Sequence, residues 1–225
     1  ATLVATCIFY RRDLYAMLGQ NLDGFGALRS GTSWGDSLRA FPHFRFSLLV
    51  IAGSVPTAII GFAFKDYFEG LFHQPKQAAG MLLVTAFLLL LTRFSAAGEK
   101  GLGAMPLKVA LLVGLSQGFA IIPGISRSGT TIACAILLGI EREHAARFSF
   151  LLAIPAICGA LLLELKSMAS WEAIAWMPVG LGFVSAALTG LLALRLLVPV
   201  VHRGVFHYFG FYLVPAGIAG LVFLP

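Results

Sequence analysis

Apolar residues run along this chain in long unbroken blocks, not in the alternation of a half-buried strand. Phe46–Phe64, Gln77–Thr92, Phe148–Leu163, Ala173–Leu194 and Gly204–Pro225 contain no Lys, Arg, Asp or Glu. A crossing needs roughly 17–25 such residues, with polar ends able to snorkel. Each block therefore predicts a transmembrane helix. Residues 1–10 read as the tail of a further span that ends at Arg11-Arg12, and a polar loop rich in Gly and Ser is expected to about residue 44.

The middle of the chain breaks the pattern. Val109–Ser126 and Ser128–Ile140 are apolar arms joined at Arg127, just after Pro123-Gly124. The second arm is too short to cross, as re-entrant segments are. Residues 109–140 are thus expected to form a helical hairpin that enters the membrane part-way, with Ser126-Arg127-Ser128-Gly129 at its tip.

Charge supports this reading. With the hairpin re-entrant, one side collects Arg11, Arg12, Arg29, Arg39, Arg45, Arg93, Lys100, Lys108, Arg142, Arg147, Arg195 and Arg203, and the other only Lys65, Lys76 and Lys166. If 109–140 crossed, every later loop would flip and the positive-inside bias would largely vanish. From 109 onward the order is a hairpin and three spans; before it come three spans alone. Two units with an odd number of spans are inverted relative to each other. The expected fold class is an all-α polytopic membrane protein, an inverted-topology repeat with re-entrant helical hairpins. One membrane domain spans 1–225, with 1–108 an incomplete first repeat and 109–225 the second. The chain opens on Ala1 inside an apolar run, and the parity argument places roughly 45 residues upstream of it.

Composition sharpens the class. The chain is 59% hydrophobic and 12% charged, about half the charged share of a soluble domain. Its net charge of +6 reflects Lys and Arg in short loops. That suits membrane orientation and anionic lipid, not nucleic acid. Cys7, Cys134 and Cys158 stand singly in apolar runs and form no CxxC pair.

The candidate chemistry lies at the hairpin tip. Arg127 is the only charge between Lys108 and Glu141. An arginine at membrane depth needs a partner or an aqueous cavity and marks a functional site. Pro123-Gly124 ends one half-helix, and the next starts near Ser126 to Gly129. Its first-turn N–H groups and partial positive charge suit a phosphate. Arg127 adds a fork that matches two phosphate oxygens. Ser126, Ser128, Thr130 and Thr131 add hydroxyls, and Gly129 permits close approach. Hydroxyls in membrane helices also bond carbonyls one turn back, which is the plainer account of any single one. Gln117, on the first arm, either binds substrate or pairs with the backbone. The run Glu141-Arg142-Glu143-His144 with Arg147 reads as a solvated interface. Trp171, Trp176 and Tyr208 suit an aromatic belt. No histidine has metal-ligand spacing, and no carboxylate pair lies on an apolar face.

Gly114-Leu115-Ser116-Gln117, then Pro123-Gly124-Ile125-Ser126-Arg127-Ser128-Gly129-Thr130-Thr131-Ile132, then Gly139 to Pro155 together resemble the undecaprenyl-diphosphate phosphatase family linked to bacitracin resistance. Phe9-Tyr10-Arg11-Arg12 and Ile59 to Asp66 look similar too. The resemblance implies a bacterial inner-membrane enzyme that removes the terminal phosphate of undecaprenyl diphosphate, a carrier lipid of cell-wall synthesis. It implies Arg127 and Ser126 as catalytic residues, with Ser128 and Thr131 lining the diphosphate. Gly129, Thr130 and Gln117 complete the candidate substrate site. It also implies a divalent cation, Mg or Ca, held by an acidic pair expected upstream of Ala1. The family's Glu-rich segment and Pro-x-Ser-Ser-x-Gly-His stretch do not occur here. Expected partners are the polyprenyl diphosphate and membrane lipids. The alternative is a polyprenyl-phosphate flippase or phosphate-lipid transporter, since broken helices meeting at mid-membrane are a transporter architecture.

Overall fold

A computed structural model describes residues 1–95, 98, 101–167 and 176–224. Lys100, Trp171 and the first residues of the Ala173–Leu194 run lie outside the described residues. The described chain forms α1 (Thr2–Phe9), α2 (Arg11–Arg29), α3 (Trp34–Ala40), α4 (Pro42–Ala63), α5 (Lys65–Leu71), α6 (Pro75–Leu91), α7 (Leu107–Phe119), α8 (Arg127–Leu137), α9 (Arg142–Ser167), α10 (Trp176–His202) and α11 (Tyr208–Phe223). Helices α4, α9 and α10, and α6 together with the 3-10 turn that carries it to Phe94, are long and apolar enough to cross a membrane. The architecture is all-α and polytopic, as the apolar blocks predict.

Helices α9 and α10 overrun their blocks, while α11, at 16 residues, is shorter than the Gly204–Pro225 run that predicts it. α9 begins at Arg142, and α10 continues past Arg195 to His202. A charge-free run measures the hydrocarbon slab, while the helix extends into the headgroup layer, where charged side chains are tolerated. The lipid-facing sides carry exposed Ile51, Val55, Ile59 and Phe62 on α4, and Leu181, Val184, Leu188 and Leu192 on α10.

The polar stretch to residue 44 is not a loop. It folds as α2 and α3. Leu14 and Met17 on α2 pack against the apolar core. Gly24 leaves room for the Phe44 ring, which a Cβ there would approach to 2.6 Å. Ser33 caps α3 by accepting from the Asp36 N–H at 3.2 Å. Low hydropathy hid these helices, because they are anchored by only a few apolar residues at helical spacing.

Inside a bilayer, packing rather than water exclusion holds helices together, and small residues permit it. The α4–α7 contact shows this. A Cβ on Gly53 would lie 2.9 Å from the Ala110 carbonyl oxygen, and one on Gly114 would run into the Gly53 carbonyl. Across the same seam the Thr57 hydroxyl donates to the Gly114 carbonyl at 2.7 Å. α6 and α11 meet similarly, with Gly210 against Ala86 and Gly217 against Ala79. Between these pairs the Phe46 and Phe148 rings meet edge-on at 5.8 Å, and Tyr10 stacks on Phe150 at 5.9 Å. At the head of α9, Arg147 pairs with Asp13 of α2 at 3.3 Å and with Glu143 at 3.0 Å. The charged run is thus partly an inter-helix tie and not only a solvated face.

Candidate active site

Helices α7 and α8 have 13 and 11 residues, so they rise about 20 and 17 Å against a hydrocarbon core of roughly 30 Å. Neither can cross alone. They pack against each other, and their junction is built turn by turn. The Ala120 N–H bonds the Ser116 carbonyl and closes α7. Single turns follow, from Ile121 to Gly118, Ile122 to Phe119 and Ile125 to Ile122. Pro123 has no N–H to give. Gly124 takes φ +90°, and a Cβ there would collide with the Ala78 carbonyl of α6. Only glycine meets both demands.

α6 also grips the turn through Thr85. Its hydroxyl oxygen accepts from the Ser126 N–H at 3.0 Å and lies 3.3 Å from the Gly124 carbonyl. Ser126 is the N-cap of α8. Its Oγ accepts from the Gly129 N–H at 3.1 Å, and its carbonyl accepts from the Thr130 N–H at 2.8 Å. Among the described residues, the N–H groups of Arg127 and Ser128 have no acceptor. They form the partly positive end of α8. The far end closes on Gly139 at φ +81°, with Gly139 bonding Ile136 and Ile140 bonding Ala135.

This end of α8 opens on a cavity of about 480 Å³, within the usual size of a ligand site. Arg127, Ser128 and Thr131 line it from α8, and Ile121, Ile122 and Ile125 from the turn. Thr2 and Thr6 face it from α1, Ser149, Phe150, Ala153 and Ile157 from α9, and Gly190, Ala193, Leu194 and Leu197 from α10. The walls are mainly apolar. The ion pairs among the described residues join Lys65 to Glu69, His144 to Glu141, and Arg147 to Asp13 and Glu143, so none of them neutralises Arg127. Among the described residues, no carboxylate lines the cavity.

The candidate residues separate into three groups. Arg127, Ser128 and Thr131 line the cavity together. The Thr131 hydroxyl donates back to the Arg127 carbonyl at 2.9 Å, so its hydrogen is already engaged. Ser126, Gly129 and Thr130 build the start of α8 but are not among the lining residues. Gln117 stands apart. It is 1% exposed between α4 and α9, and its amide lies 3.2 Å from the Thr57 hydroxyl and 3.4 Å from the Leu152 carbonyl. Of the two roles open to Gln117 in the sequence, the geometry supports pairing with the fold.

Sequence reasoning missed Thr6, Ser149 and the small-residue face of α10. Gly190, Ala193 and Leu197 recur at helical spacing, which marks a face, but nothing in one sequence says what the face meets. The donor set is a guanidinium, hydroxyls and backbone N–H groups. Among the described residues, no group of three His, Cys, Asp or Glu could hold a metal. Chemically, these are donors of the kind that can hold an oxyanion, set in an apolar wall.

Residues 1–219 match the family model described as bacitracin resistance protein BacA. A relative named undecaprenyl-diphosphatase from Korarchaeum cryptofilum is 41% identical over 224 residues, covering 99% of this chain and 81% of its own. A protein of the same name from Carboxydothermus hydrogenoformans is 38% identical over 225 residues, covering 98% and 78%. A third, from Halothermothrix orenii, is 44% identical over 174 residues, covering 76% and 67%.

Proposed function

The chain belongs to the bacitracin resistance protein BacA family, and we infer that it hydrolyses undecaprenyl diphosphate to undecaprenyl phosphate and phosphate. That activity recycles a carrier lipid for cell-wall assembly and accounts for the family's link to bacitracin. Transport is not favoured, since the relatives carry a diphosphatase name over nearly the whole chain.

The observation that carries the reading is Arg127, a guanidinium with no ion-pair partner among the described residues, on the wall of a largely apolar cavity. In hydrolysis a water oxygen bonds the terminal phosphorus as its bond to the bridging oxygen breaks, the lipid phosphate leaves with that oxygen, and the water's protons pass to the phosphate products. Charge then spreads over the terminal phosphoryl oxygens and the departing lipid phosphate. The Arg127 fork suits two of those oxygens, and the free N–H groups of Arg127 and Ser128 add donors fixed in place before reaction. Ser126 holds that end of the helix through its cap. Ile121, Ile122, Ile125, Leu194 and Leu197 offer an apolar bed for the first isoprene units. Ser128 is the binding hydroxyl of this reading, and Gly129 and Thr130 support it from behind.

The divalent cation implied by the resemblance does not fit the described residues of this cavity, which offer cationic and hydroxyl groups and no carboxylate. No step above passes through a metal. The location follows from the function: the bacterial inner membrane, where the carrier lipid works. The inverted repeat is supported by the pairing of α6 with α11, the last span of each unit.

The test is phosphate release from undecaprenyl diphosphate in detergent micelles by the purified protein. Release with saturation kinetics is expected. A protein that binds and moves the lipid between leaflets of proteoliposomes without releasing phosphate would overturn the reading.

A further inference from the structure

Hydroxyls on the helices of this chain generally turn back on their own backbone. Thr6 donates to Thr2, Ser47 to His43, Ser54 to Val50, and Thr131 to Arg127, each one turn away. Ser37 on α3, Thr130 on α8 and Ser149 on α9 do not, and of these Ser149 alone lines the cavity. It is 3% exposed, and its Oγ has no hydrogen-bond partner among the described residues. A carbonyl one turn back is available to any helical serine, so the missing bond is a feature of this site.

The surroundings leave Ser149 little freedom. Phe148 is locked against Phe46 and Phe150 against Tyr10. Leu151 and Leu152 are fully buried, and Arg147 fastens the same turn to α2. Ser149 also lines the cavity that Arg127 enters, from the neighbouring helix. Along α9 the lining continues through Phe150, Ala153 and Ile157, all apolar. Ser149 therefore sits where the polar part of the cavity gives way to its hydrocarbon wall. A buried hydroxyl left unsatisfied is costly, and one that also lines a cavity is placed for a ligand to complete it.

We propose that Ser149 is a substrate-binding residue whose hydroxyl donates to a non-bridging oxygen of the lipid diphosphate, at the junction of headgroup and prenyl chain. The proposal rests on the diphosphatase reading above. It adds a contact from α9 to a site otherwise built at the α8 tip, so the headgroup is held from two helices.

The experiment compares wild type, Ser149→Ala and the near-isosteric weak donor Ser149→Cys. Phosphate release from undecaprenyl diphosphate gives KM and kcat. Thermal shift with and without farnesyl methylenediphosphonate gives binding. A merely structural hydroxyl would lower the ligand-free Tm when removed and leave KM alone. The proposal expects the reverse: a ligand-free Tm unchanged or higher in Ser149→Ala, a KM raised about tenfold, a smaller loss in Ser149→Cys, and a reduced Tm gain with the phosphonate. Wild-type KM and wild-type ligand shift in Ser149→Ala would overturn the assignment, whatever the ligand-free Tm. An inactive wild type would instead sink the diphosphatase reading, so the two failures are distinguishable.

Discussion

Gln117 and Arg127 are polar side chains on the two arms of one short hairpin, and the fold treats them in opposite ways. Gln117 is sealed between α4 and α9, with its amide against Thr57 and Leu152. Arg127 is exposed on a cavity wall and takes no ion-pair partner among the described residues. Both stand in an apolar stretch, where an unmatched polar group is expensive. The α7 arm limits that cost only through the amide nitrogen, since Oε1 has no partner among the described residues, and through backbone contact at Gly53 and Gly114. The α8 arm leaves its charge available for a ligand. Polarity at membrane depth is therefore not one signal: sealed between helices it goes with packing, and on a cavity wall it is available for chemistry.

The largest break in that comparison should come from Arg127→Lys. The charge stays, but the planar fork is lost. Turnover should fall about 10²–10³-fold, the loss typical of removing one fixed donor from a charge-stabilising site. Thermal stability should hold within about 0.5 kcal/mol, as for a surface change away from structural features. Phosphate release and a melting curve on the same sample decide it. Near-normal turnover would remove the bidentate role.

Gly124→Ala should come next, acting through position rather than contact. The φ of +90° strains any L side chain, and the new Cβ meets the Ala78 carbonyl. A destabilisation of about 1–3 kcal/mol follows from strain and overpacking. Because α6 holds the turn that aims α8, turnover of the folded fraction should also drop. A variant as stable and active as wild type would mean the turn is not positioned by α6.

Ser126 tests whether a residue at the tip works by chemistry or by capping. Ser126→Ala should cost about 1 kcal/mol, the usual value of an N-cap. Asn caps nearly as well as Ser, so Ser126→Asn should recover most of the stability and activity. Recovery of stability alone would assign the hydroxyl a direct part in the reaction.

The sequence shows the spans plainly, because a charge-free run records the thickness of the slab it crosses. It shows the hairpin through Pro123-Gly124 and a lone arginine, and the start of α8 through Ser126 and Gly129 at cap spacing. Helices α2 and α3 escape because their apolar anchors are few. The cavity escapes for another reason. Its walls come from α1, the turn, α8, α9 and α10, and pairing between distant helices is a long-range fact with no local pattern. Ser149 in a transmembrane run looks like any helical serine. Only the packed structure shows that its hydroxyl lacks a partner among the described residues and that the residue lines the cavity. Gln117 is the converse case: Thr57 and Leu152, which engage it, lie far away in sequence.

The smallest effect is expected from Gln117→Leu, and it bears most directly on the opening contrast. Leucine has a similar volume and removes an amide whose Oε1 has no partner among the described residues. The Thr57 hydroxyl keeps its bond to the Gly114 carbonyl, so the α4–α7 seam stays closed. The Leu152 carbonyl loses a donor at 3.4 Å, a long contact. Gains and losses on this scale nearly cancel, and the net should stay within about 1 kcal/mol. Gln117 does not line the cavity, so KM and turnover per folded molecule should lie within about twofold of wild type, under the roughly tenfold shift that 1.4 kcal/mol would produce. Kinetics normalised to the folded fraction make the decision. If Gln117→Leu keeps its melting temperature yet loses activity tenfold or more, Gln117 reaches the substrate, and the division of the hairpin into a packing arm and a binding arm fails.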